Sequence, residues 1–340
     1  MDKLLTIVVP VYKVEKYINK CLDSLIVPDD QMKKIEVIVV NDGTPDNSAI
    51  MAKEYERKYP ETFRVIDKEN GGHGSAWNRG VAEAKGKYLR FLDSDDWFDN
   101  NDFPILINKL QSCEADVVFC NIDKHFIKSN RVVKQSLAPM KNGETIRIAD
   151  FNWSTLENIP RVFDFWFCTY RTSMLKNVHP LFLEKIYYDD AILFIAPMIL
   201  SETFVYYDLT IYHYLLERDG QTVNISSQLA HAKDYAKVCK SMIEFAKNHH
   251  YEEPNIKEFV NTRINRYIRN TFIWLNHLPK SDLSEAMEKT WFPFVKKDFP
   301  YYIEPKVIKY YRLLPYWVYK ILYKLRVEKK EKKTFQEDAN

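Results

Sequence analysis

No two cysteines of this chain form a C-x-x-C pair. Its five, Cys21, Cys113, Cys120, Cys168 and Cys239, are scattered and odd in number. That argues against a zinc site and predicts buried free thiols, as a reducing cytosol would allow. An uninterrupted apolar run of about 18 residues is also missing, so no membrane-crossing helix is expected. Residues 1–4 lead straight into a strand pattern, without the apolar core of a secretory signal. Net charge is nearly absent: 49 Lys and Arg against 47 Asp and Glu leave +2, which speaks against nucleic acid as a partner. Two phosphate-binding signatures fail as well. There is no G-x-x-x-x-G-K-[ST] loop, and the dinucleotide pattern breaks where Trp77 stands in place of a third glycine after Gly72 and Gly74. Residues 5–13 contain no glycine, which disfavours a nucleotidyltransferase phosphate loop.

What is present suits a large folded core. Of 340 residues, 46% are apolar and 28% charged, enough for one large α/β domain and a smaller appendage. Short β-branched runs at 5–11 and 35–40, and further strand patterns at 63–66 and 88–92, alternate with helical spacing at 15–26, 46–55 and 73–84. Asp46 is expected to cap the second of these helices, with Ile50, Met51 and Tyr55 as its buried stripe. Such alternation predicts a mostly parallel, Rossmann-like sheet with helices on both faces, and a site beyond the carboxyl ends of its strands. A strand at 116–122, a helix at 191–200 and a strand at 204–214 complete a first domain, placed at 1–226. Residues 227–340 read as a mainly α-helical C-terminal domain, with helices at 235–249, 256–278 and 281–292.

Polar clusters fall just after the predicted strands: Asn41-Asp42, Glu69-Asn70 and Asp93-Ser94-Asp95-Asp96. Carboxylates two apart at a strand end can leave the sheet together and hold a hard cation such as Mg²⁺ or Mn²⁺. An acidic turn or a helix cap is the plainer reading. A calcium loop is excluded, because Trp97 and Phe98 occupy positions that need Asp or Asn and then Gly.

Five segments come in a recognisable order. They are Val9-Pro10-Val11-Tyr12, Val40-Asn41-Asp42-Gly43-Thr44-Pro45-Asp46-Asn47-Ser48, Glu69-Asn70-Gly71-Gly72, Ser75-Ala76-Trp77-Asn78-Arg79-Gly80 and Phe91-Leu92-Asp93-Ser94-Asp95-Asp96. Together they resemble glycosyltransferase family 2, whose members use the GT-A fold. The resemblance is clear over about the first hundred residues and weaker to about Ser226. It implies that Pro10 and Tyr12 line a nucleobase pocket and that Asp42 binds the base, commonly uracil. Asn70 belongs to the same donor-binding edge. Asp93 would lie near the donor ribose or sugar, and Asp95 would ligate a Mn²⁺ or Mg²⁺ ion bridging the diphosphate. Relatives often carry Arg where Trp77 stands, so Arg79 is the candidate to supply that donor contact.

In the second half, Tyr187-Tyr188-Asp189-Asp190 resembles the family's Glu-Asp pair, with Asp190 at the position of the catalytic base and Asp189 replacing the commoner Glu. A helix cap is the structural alternative. His213 is a candidate to complete the metal shell, as a late His does in some GT-A enzymes, or else a structural residue between two tyrosines. Arg218 is a phosphate contact on charge grounds. The resemblance therefore implies a metal-dependent inverting transferase. It would move a sugar from a nucleotide diphosphate donor, expected to be a UDP-sugar, to a hydroxyl of a cell-surface polysaccharide, lipid-linked or other glycan acceptor. A non-catalytic sugar-nucleotide or glycan-binding subunit on the same fold is the alternative, disfavoured by the retained acidic pairs. Residues 123–165 are expected to shape acceptor binding, with Trp153 and Trp166 either stacking on sugars or filling the core.

From 310 to 326 aromatic residues interleave with Lys and Arg, and Lys329, Lys330, Lys332 and Lys333 follow. This suits either an anionic membrane surface or an ordinary packed helix with a solvated basic end. The expected location is cytoplasmic, and at the inner membrane face under the first of these two readings of the tail.

Overall fold

The computed structural model describes residues 3–137, 139–156, 163–218, 221 and 225–324. The described residues fall into two compact units. The first holds everything up to 218 together with Tyr251–Ile256, and the second holds the rest from 221 onward.

The first unit is built on one ten-stranded sheet. Its strands are β1 (Leu5–Val11), β2 (Ile35–Asp42), β3 (Phe63–Lys68), β4 (Tyr88–Phe91), β5 (Trp97–Phe98), β6 (Val117–Phe126), β7 (Arg131–Gln135), β8 (Thr145–Arg147), β9 (Cys168–Arg171) and β10 (Thr203–Leu216). The main path runs β3-β2-β1-β4-β9-β6-β10-β5, with β7 on β6 and β8 on β10. β1 to β4 are mutually parallel. β9 is antiparallel to both β4 and β6, and β6 is parallel to β10. Hence β6 and β10 run in the same direction as β1 to β4, and all six deliver their carboxyl ends to one edge. That edge receives the polar clusters.

The central strands are apolar throughout because both faces are covered: all seven residues of β1 are buried. One helix cover is set by a close approach. A Cβ on Gly80 would stand 2.2 Å from Val8 Cγ1, so the His73–Glu83 helix can lie on β1 only with glycine there. Arg90 of β4 is fully buried. Its guanidinium donates to Thr169 Oγ1 at 2.8 Å and to the Trp166 carbonyl at 2.5 Å, tying β4 to β9. All five cysteines are buried and none forms a disulfide, as expected.

Two local expectations shift. In the Ser48–Lys58 helix the buried positions are Ser48 and Ala52, while Ile50 is 62% exposed. Asp46 caps the helix from one residue before the N-cap, its Oδ1 accepting both the Ser48 amide and hydroxyl, and the helix packs on β3 through the face opposite Ile50. The helix expected over 191–200 is split into a 3₁₀ segment, Asp189–Phe194, and a short helix, Ala196–Leu200. Pro197 lacks the amide hydrogen needed to continue a helix and is tolerated in a new first turn.

In the second unit the Ala232–Asn248 helix packs on Trp291–Asp298, and Lys247 pairs with Asp298 at 2.7 Å. The tail forms two further helices, Lys306–Leu313 and Tyr316–Leu322. Tyr319 is buried and donates to Asn276 Oδ1 at 2.9 Å. Tyr310, Leu313, Trp317 and Ile321 face outward. The basic run 329–333 lies outside the described residues. Among those described, no helix is long and apolar enough to cross a membrane.

Candidate active site

His73 is the first residue of the helix that follows β3. Its Nε2 lies 3.2 Å from Asp93 Oδ1, just past β4, and its Nδ1 lies 3.4 Å from Asp189 Oδ2. Carboxylates from two distant parts of the chain therefore meet on one imidazole. Burial works against its charge, but Asp189 and Asp93 outweigh that, and the pKa is raised well above the usual histidine value. Two carboxylates also offset the unfavourable placement of a cation at a helix N-terminus.

The same helix holds the chain that carries Asp189. Asn78 Oδ1 accepts the amides of Leu181 and Phe182 at 3.1 Å each, and its Nδ2 donates to the Phe182 carbonyl at 2.8 Å. The Lys185 amide donates to the Gly71 carbonyl at 2.7 Å. Gly74 permits the contact: a Cβ there would meet Leu183 O at 2.3 Å and Asp189 Oδ2 at 2.7 Å. Tyr188, in a left-handed conformation with φ 65° that is rare for a bulky residue, turns the chain into Asp189. Trp77, one turn after His73, is fully buried, stacks on Phe91 at 4.2 Å and lies 4.1 Å from the His73 ring. Sequence reasoning gave no role to His73 or Asn78. The available signal was a histidine one helical turn before the tryptophan that replaces the family's arginine.

Asp93, Asp95 and Asp96 bring carboxylate oxygens within 4.8 Å of one another. Asp96 is buried, accepts from the Tyr212 hydroxyl at 2.6 Å and from the Leu215 amide at 2.7 Å, and is pushed well up by burial and then by Asp95 and Asp93. Burial also raises Asp95, with Asp93 adding to it; Arg218 acts in the opposite sense through an ion pair from its Nε. Arg218 reaches Asp95 because β10 ends on the same sheet edge as β4. The cluster is thus short of positive charge, and its all-oxygen donor set fits a hard divalent cation.

Asp42, at the end of β2, is 3% exposed. Its Oδ1 accepts from Lys68 Nζ at 2.6 Å and from the Gly71 amide at 2.9 Å, and its Oδ2 accepts the Gly72 amide at 2.8 Å. A carboxylate has about four lone-pair sites, so one remains open. Asn70 is exposed and donates to the Asp42 carbonyl at 2.8 Å. Pro10 is buried in β1, and Tyr12 just beyond it is 44% exposed. The loop that follows Tyr12 is laced to the one after β2 through Lys13 N to Thr44 Oγ1 at 2.8 Å.

Arg79 does not join this constellation. It is half exposed and pairs with Glu83 at 2.9 Å. Six residues past His73, at about 100° each, carry it round to another face of the helix. His213 also departs from expectation. It groups with Asp123 and His125, not with the Asp93–Asp95–Asp96 carboxylates, because its neighbour Tyr212 takes the side of β10 that faces Asp96. Trp153 is core: 5% exposed, it donates to the Ile148 carbonyl at 2.9 Å and packs on Phe163 and Phe204. Trp166, 6% exposed, stacks on Tyr214 at 4.4 Å. Asp190, half-buried, follows Asp189 on the same 3₁₀ turn.

The profile described as "Glycosyl transferase family 2" matches residues 6–178, just over half of the chain. The chain belongs to that family. A curated family relative, the "Uncharacterized glycosyltransferase EpsJ" of Bacillus subtilis, is 31% identical over 198 residues, covering 55% of this chain and 53% of that one. The "Glycosyltransferase GlyA" of Streptococcus pneumoniae is 39% identical over 121 residues, covering 36% and 17%. The chain thus spans about half the length of EpsJ and less of GlyA. Among solved structures, S. aureus TarS 1–349 in complex with UDP-GlcNAc superposes with a TM-score of 0.62, at 19% identity over 91% of both chains. The mannosyltransferase PcManGT from Pyrobaculum calidifontis, in complex with GDP-Man and Mn²⁺, gives 0.52 at 13% identity, over 88% and 84%. At these identities the likeness shows the GT-A fold shared with family 2.

Proposed function

We propose that this chain is a metal-dependent, inverting glycosyltransferase that moves a sugar from a nucleotide diphosphate donor, a UDP-sugar, to a hydroxyl of a cell-surface or lipid-linked glycan. The observation that carries the reading is His73, which joins the carboxylate after β4 to the acidic pair at 189–190. That contact supports reading the carboxylates after β4 and the 189–190 pair as parts of one site. The UDP and UDP-GlcNAc complexes of TarS support the choice of nucleotide.

In this reading Pro10, Tyr12 and the remaining lone pair of Asp42 receive the nucleobase, Asn70 steadies that loop, and Asp93 faces the ribose or sugar. Asp95, with Asp93 or Asp96 beside it, would hold Mn²⁺ or Mg²⁺. When bound, the ion neutralises charge on the departing diphosphate. Arg218 exchanges Asp95 for a phosphate oxygen once the donor arrives, a match for its forked donors. Asp189 is committed to His73, and Asp190 takes the proton from the attacking hydroxyl. Asp190→Asn should lower transfer about 10²–10⁴-fold with UDP binding unchanged, and EDTA should stop release of UDP from a panel of UDP-sugars. Full turnover in the variant removes Asp190 from the mechanism, and full rate in EDTA removes the ion.

The acceptor would be met at an anionic membrane face. Support comes from the exposed Tyr310, Leu313, Trp317 and Ile321, interleaved in the chain with Lys309, Arg312 and Lys324. Replacing Leu313, Trp317 and Ile321 with Ser should abolish sedimentation with anionic liposomes; undiminished sedimentation refutes the contact.

A further inference from the structure

We propose that Asp123, His125 and His213 form a second cation site, for a borderline divalent ion such as Zn²⁺, distinct from the Asp93–Asp95–Asp96 cluster. The sheet assembles it. Asp123 and His125 lie two apart on β6 and share a face, while His213 of β10 is the Cα partner of Asp123. One ligand atom from each lies within 4.8 Å of the other two.

Two details point to a ligand. Asp123 is 8% exposed, and its Oδ1 is buried without a hydrogen-bond partner. A carboxylate oxygen held this way, beside two imidazoles, is unusual unless something electropositive completes it. His213 is oriented as a metal-binding histidine is. Its Nε2 lies 3.2 Å from Asp99 Oδ2, and the other Asp99 oxygen accepts the amides of Asn101 and Asp102 at 2.8 and 2.9 Å. With Asp99 accepting from Nε2–H, Nδ1 carries the lone pair.

That Nδ1 lies 2.9 Å from His125 Nε2. Two nitrogens on one tetrahedral zinc, each at about 2.0–2.1 Å, stand about 3.3 Å apart. A few tenths of an ångström of opening would admit the ion in place of the shared proton. Trp97, the register partner of His213 on β5, stacks on that ring at 5.3 Å and lies 4.8 Å from His125. It gives the site an apolar wall. Two imidazoles and one carboxylate favour Zn²⁺, Co²⁺ or Ni²⁺, whereas the all-oxygen cluster favours Mg²⁺ or Mn²⁺. An ion here would tie β6 to β10 shortly before Arg218.

The test uses the full chain, stripped with EDTA and dialysed, then titrated with Zn²⁺ by calorimetry and with Co²⁺ by visible absorption. Asp95→Asn should retain one equivalent of Zn²⁺ and the Co²⁺ bands of an N/O site. His125→Gln and Asp123→Asn, each shown folded by circular dichroism, should weaken Zn²⁺ at least 100-fold, and Asp99→Asn at least tenfold. Loss of all Zn²⁺ binding and Co²⁺ bands in folded Asp95→Asn would overturn the proposal. So would wild-type affinity in His125→Gln. Should the ligand variants fail to fold, the Asp95→Asn spectrum alone decides.

Discussion

Gly74 stands so close to Asp189 that a single methyl group on it would come within 2.7 Å of the carboxylate and 2.3 Å of the Leu183 carbonyl. Backbone, not a flexible tip, is the nearer obstacle. Gly74→Ala should therefore push the 181–189 segment outward and loosen its hold on His73. Overpacking of this kind costs about 1–3 kcal/mol, which the whole fold can absorb. The expected result is a folded protein, modestly lower in melting temperature, whose turnover drops at least tenfold. Wild-type turnover would mean that Asp189 need not sit where the structure puts it.

His73 gives a pH signature with a definite sign. Its folded pKa is raised by Asp189 and Asp93 against the pull of burial, so the native state binds the proton more tightly than the unfolded chain. The stabilisation is fully present below the unfolded value of about 6.5. It is lost as pH rises through the raised folded value. Melting temperatures of wild type and His73→Gln, taken in EDTA without nucleotide, should differ most at low pH and converge as pH increases. Parallel curves would show that the imidazole is not held charged between the two carboxylates.

The sheet was legible in the sequence because β1 and β2 are β-branched runs bounded by turn residues, and because Asp93, Asp95 and Asp96 sit together in the chain. Segments whose meaning depends on orientation were not. Ile50 fits a helical stripe by spacing, yet the helix meets β3 through another face and leaves it in solvent. Arg79 belongs to a recognisable motif, but its distance round the helix from His73 is decided only when the Gly80 contact with Val8 fixes which side faces the sheet. His213 shows the same limit on a strand. Alternation places it opposite Tyr212, but which of the two faces the acidic cluster depends on β5 and β6 packing beside β10. The role of His73 was hidden for another reason. It reads as the start of the helix at 73–84, and nothing local in the chain brings Asp189, 116 positions on, beside it.

The order of strands has a consequence for synthesis. The segments that mark the family leave the ribosome within the first hundred residues, whereas Tyr212, Leu215 and Arg218 emerge more than a hundred residues later. Until β10 is inserted beside β6, Asp95 lacks its guanidinium and Asp96 lacks its hydroxyl and amide donors. A chain arrested near residue 200 would carry every hallmark of the family with two inner acids uncompensated. Completion of the acidic edge is thus a late event, gated by the last long strand of the sheet.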